Sequence, residues 1–226
     1  MPSPALYLAT RPLPVVPSTT LTYKSTQTTT TNEDTTTFTG VDIGTPHPKR
    51  IVIIAGMCGV NAAVSATCNG IPHYHLTQQA ARQFAVLAFQ VPNSTTASLA
   101  ITSVSSARKA FSVYVAYPAD HTVLDFGTDN RAGTTDATVT NLKAMNGGFI
   151  VYAGGQTATL GTFTTTWGGT DAVTEDVDAQ LEAVSSYTTG RINITVSSDT
   201  LTVTLAESVS GSKDLACCSW GKAYGT

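Results

Sequence analysis

The sequence predicts an all-β protein: an antiparallel β-sandwich, jelly-roll or immunoglobulin-like, carrying an extended N-terminal arm. Three observations predict it. Only 12% of the 226 residues are charged, about half the usual share, and Thr, Ser, Ala, Val and Gly fill the space. Short apolar runs recur with period two between Gly, Pro, Asn and Asp, as in sandwiches and barrels. No β–α–β alternation is present.

Residues 1–38 read as the arm. Prolines stand at 2, 4, 12, 14 and 17, followed by "STTLTYKSTQTTTTNEDTTT". Proline fixes φ and removes donors, which excludes a helix, and large apolar groups are too few for a core. The anchors Leu6, Tyr7, Leu8, Leu13, Val15, Val16, Leu21 and Tyr23 suit a clamp on a neighbouring subunit. Extended, such an arm crosses more than roughly 100 Å.

Residues 39–208 read as one sandwich of about nine or ten strands. "RIVIIAG" (50–56) is a buried strand. "AAVSATCNG" (62–70) ends in Asn69-Gly70, a hairpin turn in which Gly tolerates positive φ. "IPHYHL", "FAVLAFQV", "ASLAITSV" and "AFSVYVAYP" continue the series, the last placing Phe111, Val113, Val115 and Tyr117 on one face. "ATVTNL", "GGFIVYAGG" and "LGTFTTTW" follow. "GRINITVSS" and "DTLTVTLAE" turn Ile192, Ile194, Val196, Leu201, Val203 and Leu205 to one core. The single helix candidate is "DAVTEDVDAQLEAVSSY" (171–187), with Val173, Val177, Leu181 and Val184 near helical spacing. Residues 209–226 read as a cysteine-bearing tail.

Charge excludes some functions. A net charge of −3 and pI near 5.7 leave no basic footprint for nucleic acid. "IVIIAGM" is too short to span a bilayer, which takes about 20 residues. "MPSPALYLATRPLPVVP" lacks the basic and apolar regions of a secretory signal.

Catalytic patterns are sparse. Glu175, Asp176, Asp178 and Glu182 read as a solvated face, no Ser lies in a Gly-x-Ser-x-Gly elbow, and "YAGGQTATLG" lacks the Lys of a phosphate loop. The expectation is a non-enzymatic protein without cofactor. His73 and His75, at i and i+2, are the sharpest metal candidates, since a strand puts both imidazoles on one face. Two ligands are not a site, and exposed histidines are the simpler reading. Asp125, Asp129, Asn130 and Asp136 offer oxygen ligands for Ca²⁺ or, more simply, an ordinary turn. Cys58 and Cys68 read as buried free thiols or as a pair across a hairpin, and Cys217 and Cys218 as crosslinks to a neighbour. Tyr117, Trp167, Tyr187 and Trp220 are candidate platforms on which a sugar would stack, core packing being the simpler reading for most of them.

"GVDIGTPHPKRIVIIAG" resembles a segment near the start of small virion proteins of tailed bacteriophages, a Gly-Val-Asp-Ile-Gly turn, a polar spacer, an Arg and a β-branched strand. The matching positions are Gly40, Val41, Asp42, Ile43, Gly44, Arg50 and Ile51 to Ile54. The later order of strands is similar over most of residues 38–208. The resemblance implies a structural virion protein made in the host cytoplasm, either decorating the capsid exterior or attached at neck or tail. Its partners would be the major capsid protein or neighbouring subunits, in a homo-oligomer without nucleic acid or membrane. A receptor- or glycan-binding module on neck or tail is the alternative.

Overall fold

The computed structural model describes residues 18–59, 63–79, 83–156, 161–183 and 185–222, and every regular element among them is a strand. The first half contains β1 (Thr20–Thr28), β2 (Glu33–Asp42), β3 (Ile51–Cys58), β4 (Val64–Cys68), β5 (Ile71–Pro72), β6 (His75–Gln78), β7 (Phe84–Gln90), β8 (Thr96–Ala107) and β9 (Lys109–Tyr117). The second contains β10 (Ala119–Arg131), β11 (Ala137–Ala144), β12 (Phe149–Gln156), β13 (Phe163–Trp167), β14 (Val173–Glu182), β15 (Ser185–Asn193), β16 (Ser198–Glu207) and β17 (Lys213–Lys222).

These strands build two sandwiches with one shared plan. Inner sheet I runs β1-β9-β3-β7-β6, and inner sheet II runs β10-β17-β12-β15-β14. Outer sheet I is β2-β8-β4-β5, and outer sheet II is β11-β16-β13. Set aside the two-residue β5, and each half has eight strands in the order 1-8-3-6-5 and 2-7-4. That is jelly-roll order, with strand 5 carried on the inner sheet.

The register aligns the halves residue by residue. Ile51 pairs with Ala116 and Gln90, as Phe149 pairs with Trp220 and Asn193. "IVIIAG" therefore superposes on "FIVYAG". Lys109, opposite Cys58, matches Lys213, opposite Gln156. The two inner sheets pack face to face with pseudo-twofold logic: β7 meets β12 as β15 meets β3, and β6 meets β10 as β14 meets β1. The result is four layers with three cores.

Layer position explains the hydrophobic patterns. Ile51, Ile53, Ala55 and Met57 face the central core with Phe149, Val151, Ala153, Cys218 and Trp220, while Val52, Ile54 and Cys58 face outer sheet I. A sheet covered on both faces needs apolar residues at every position. Hence "IVIIAGMC" and "FAVLAF" are continuous runs. Outer strands keep one wet face and alternate, as in β8 and β16.

Several expectations change. The body at 39–208 is not one sandwich but part of two, spanning 18–117 and 119–222. Residues 20–38 of the arm are not a tether but strands β1 and β2, for an edge strand needs a buried side chain only at alternate positions. Leu21 is buried and Tyr23 packs on the central core, its ring 5.7 Å from Tyr114. Leu6, Tyr7, Leu8, Leu13, Val15 and Val16 lie outside the described residues. The tail at 209–226 contains β17, which is paired on both sides between β10 and β12. The helix candidate is β14, an edge strand antiparallel to β15, where pairing overrides a weak helical spacing. Asn69 (φ 52°) and Gly70 (φ 77°) form the expected turn, and five of the six residues assigned to one core in "GRINITVSS" and "DTLTVTLAE" share it. Val196 instead is exposed.

Candidate functional site

The ionisable side chains mostly hold this architecture together. Carboxylates on the edges of inner sheet II accept backbone N–H groups from the edges of outer sheet II. Asp125 takes Lys143 N at 2.9 Å and Asp129 takes Thr138 N at 2.7 Å. On the opposite edge, Asp178 takes Phe163 N at 3.1 Å and Glu175 takes Thr165 N at 2.5 Å. Gln78 does the same for Val64 N at 3.1 Å in the first half. Edge donors that would otherwise be open to another strand are thereby satisfied.

Of the acids of β14, Glu175 and Asp178 are exposed as a solvated face would have them, yet both are bound to β13 N–H groups, and Asp176 is turned inward. Asp176 has a side chain only 6% exposed and pairs with Arg191 at 2.9 Å. The candidate Ca²⁺ loop is likewise mostly strand β10, and its Asn130 amide donates to Asp214 at 2.6 Å. Among the described residues no three His, Cys, Asp or Glu side chains converge.

His73 and His75 diverge. His73 stands edge-on to Phe89 in the first sandwich, with Nδ1 3.1 Å from Ala66 O. His75 packs against Phe126 and Trp220, with Nε2 2.7 Å from Thr77 Oγ1. Burial, then the neighbouring His73, lowers the His75 pKa.

All four cysteines are free and buried. Cys58 lies on inner and Cys68 on outer sheet I, so they do not face each other across a hairpin. Cys217 and Cys218 occupy a central strand and present no thiol to a neighbour. Burial pushes Cys58 up to about 12 and Cys68 up to about 11, and raises Cys217 and Cys218 as well. Since the thiolate is the nucleophile, native protein at pH 8 is expected to resist a thiol reagent, with all four groups labelled in denaturant. Fast labelling of Cys217 or Cys218 without denaturant would contradict their placement.

Three cations are buried: Arg50, which the sequence reading named only as a motif position, and Lys109 and Lys213, which it missed. Arg50 is fully buried and donates to the carbonyls of Ile43, Gly44, Thr45, Val91, Asn93 and Ser94. It ties the β2–β3 loop to the β7–β8 loop. The "GVDIG" turn supplies its acceptors: Gly44 adopts φ 71°, and its N–H is taken by Asp42 at 2.7 Å. Lys109 donates to Glu33 O and Ala107 O, and Lys213 to Gly133 O and Thr135 O. The two lysines perform one structural task in equivalent places. Their signal in the sequence is a Lys opening a strand whose later residues are mostly apolar.

Among the described residues, two of the pockets lie in the second sandwich. One, of about 380 Å³, is lined by Gly161, Thr162, Asp178, Gln180, Ser186 and Ser208 among others. Beside Gly161 sits the Glu207 carboxyl, whose oxygens are buried without a hydrogen-bond partner. Burial raises its pKa from 4.5 to about 7, with Lys213 opposing and Asp178 adding. In that interval the folded chain keeps a proton that the unfolded chain has lost, so this group's contribution to stability falls as pH rises. His75 and His121, both lowered by burial, act in the opposite sense below 6.5. Urea midpoints of the wild type and Glu207→Gln, compared between pH 5 and 7.5, isolate the carboxyl: the variant is expected to gain relative stability towards pH 7.5. A pH-independent difference would remove Glu207 as its source.

The other pocket, of about 110 Å³, is bordered by Trp167, Asp171, Val196 and Leu201. Trp220 is instead buried against Phe149, stacked at 5.2 Å, and Tyr187 is buried too. Tyr117 is half-buried beside His47.

The chain matches no family model, no curated protein and no solved structure.

Proposed function

We propose that this chain is a structural protein of a tailed-bacteriophage virion, in the first instance a decoration or cementing protein on the capsid exterior. The observation that carries the reading is where the polar chemistry goes. Carboxylates, lysines and Arg50 are spent on edge donors and loop carbonyls that lock four layers into one block, which suits a mechanical role. The "GVDIG" turn and Arg50, on which the resemblance to virion proteins rests, are joined by direct hydrogen bonds. Attachment is non-covalent, because the thiols are buried, and it stabilises the particle by mass action. Residues 1–17 remain the candidate tether to the major capsid protein or to neighbouring copies.

A neck- or tail-borne glycan-binding module is the second reading, favoured by the half-buried Trp167 at its pocket beside Asp171. Immunogold microscopy of particles from the source culture, with antibody to residues 41–226, tests both. Label over the whole shell supports decoration; label confined to neck or tail supports the module, whose glycan binding Trp167→Ala would then abolish. Particles without label overturn both.

A further inference from the structure

The duplication exposes one opening that the fold itself does not require. Trp167 ends β13, pairs with Val203 and is followed by Gly168 N–H on Thr202 O at 2.8 Å; Cys68 ends β4, pairs with Leu99 and is followed by Asn69 N–H on Ser98 O at 2.8 Å. Trp167 therefore stands where Cys68 stands in the first half. There the chain turns back as β5 to pair with Thr67 and Cys68, Asn69 Oδ1 takes Ser98 N at 2.8 Å, and Cys68 is fully buried. In the second half two glycines follow instead, and β13 pairs with β16 alone. The notch of about 110 Å³ between Trp167, Gly169, Asp171, Val196 and Leu201 is what stays open.

Size, polarity and one leftover donor define what fits it. An apolar cavity of roughly 150 Å³ takes a benzene ring, so this smaller notch takes a group of about four heavy atoms and not a pyranose ring. Its walls are apolar: the indole packs on the core of the second sandwich, Leu201 is buried beneath, and Val196 is 59% exposed at the mouth. Asp171 is the one ionisable residue among the described lining residues, and its Oδ1 is spent on Thr195 N and Thr195 Oγ1. Trp167 Nε1–H, by contrast, is buried without a hydrogen-bond partner among the described residues. A Cβ at Gly169 would stand 2.3 Å from that nitrogen, so glycine is what keeps a side chain off it. A buried donor without an acceptor is costly, and an entering carbonyl oxygen removes the cost.

We propose that this notch binds the acetamido group of an N-acetylated sugar. The methyl meets Leu201 and the indole, the carbonyl oxygen accepts from Trp167 Nε1–H, and the sugar ring, too large to enter, lies across Val196 beside the hydroxyls of Thr170 and Ser198. The inference rests on the second reading above, the glycan-binding module, and names its ligand class. It also names what is refused. An ammonium in place of the acetamide would bury a charge without a partner, and a hydroxyl would leave the apolar walls unfilled.

The chain has two tryptophans, so the indole N–H signals of isotope-labelled full-length protein test the proposal, with Trp167→Phe assigning them. N-acetylglucosamine is expected to move the Trp167 signal saturably and to leave that of Trp220, buried against Phe149, in place. Glucose, glucosamine and ε-N-acetyl-lysine should each bind at least tenfold more weakly. Gly169→Ala places a methyl on the indole N–H in an exposed loop where the backbone has no positive φ. Saturation transfer to the acetyl methyl protons of the sugar should fall at least tenfold in that variant, whose folding circular dichroism checks. A Trp167 signal that no sugar moves, or binding indifferent to Gly169→Ala, overturns the site. An equal response to glucose overturns the acetamido group and leaves the glycan reading standing, and an equal affinity for ε-N-acetyl-lysine overturns the sugar as its bearer. These signals are read on purified protein, so they are independent of where antibody labels the particle.

Discussion

Arg50→Met is expected to destabilise the protein by about 3–5 kcal/mol, since several carbonyls lose their donor at once at about 1–3 kcal/mol for each buried one, and to lower the melting temperature by roughly 10 °C for a chain of this length. The guanidinium has no carboxylate partner among its contacts. It is held by six carbonyls of two loops. Removing it relieves the cost of burying a charge, which by itself would stabilise. Against that gain, Val91 O and Ile43 O lie in buried surroundings, and each buried acceptor left without a donor costs about 1–3 kcal/mol. The second effect wins because several acceptors are orphaned at once and the thioether fills only the stem's volume. Arg50→Lys should fall between, as an ammonium has three donors and no planar fork. Arg131→Met is the control: its side chain is 52% exposed and pairs with Asp129 at the surface, so its effect should stay within about 0.5 kcal/mol. Equal urea midpoints for wild type and Arg50→Met would show that the loops hold without the guanidinium.

Much of this architecture is legible in the chain. Continuous apolar runs at 51–58, 84–89 and 149–153 mark strands covered on both faces, and alternating runs at 97–103 and 201–205 mark outer strands. Read together, they describe two inner and two outer sheets rather than one sandwich. The repeat "IVIIAG" and "FIVYAG" announces the duplication, though six residues alone do not reveal a register. The Thr-rich stretch at 20–37 misleads for a physical reason. Its apolar content is too low to form a core, yet β1 needs only to complete one that β9 and β3 already supply. β14 misleads because its acids mimic a solvated helix face, and their true partners, the N–H groups of β13, are ten to fifteen residues away in sequence. The candidate sites were less legible. Whether Cys217 and Cys218 face a neighbour or a core depends on β17 being central.

The duplication yields a sharper test, since one glycine occupies the same register in both halves with different surroundings. Gly56 lies within β3, and a Cβ built there would stand 2.0 Å from Ala110 O and 2.7 Å from Phe111 Cα. Gly154, its equivalent in β12, would place Cβ 2.6 Å from Leu205 Cδ2 and 2.9 Å from Asp214 O. Neither residue has a positive φ, so the penalty of substitution is steric. At Gly154 the closest atom ends a flexible side chain, so Leu205 can change rotamer at the expense of some packing, and the backbone contact with Asp214 O at 2.9 Å needs a far smaller shift than the 2.0 Å contact at Gly56. At Gly56 the closest atoms are backbone of β9, which is paired on its other side with β1 and cannot retreat without shifting two ladders. Overpacking of a core costs typically about 1–3 kcal/mol. Gly154→Ala should therefore cost about 1–2 kcal/mol, and Gly56→Ala about 3 kcal/mol or more, read from urea midpoints at equal m-values. The double variant should be close to additive, because the two clashes share no atom and fall on separate strand pairs. If Gly154→Ala proves the costlier, the backbone of β9 yields more readily than the side chain of Leu205, and the rigidity assigned to the inner sheets is wrong.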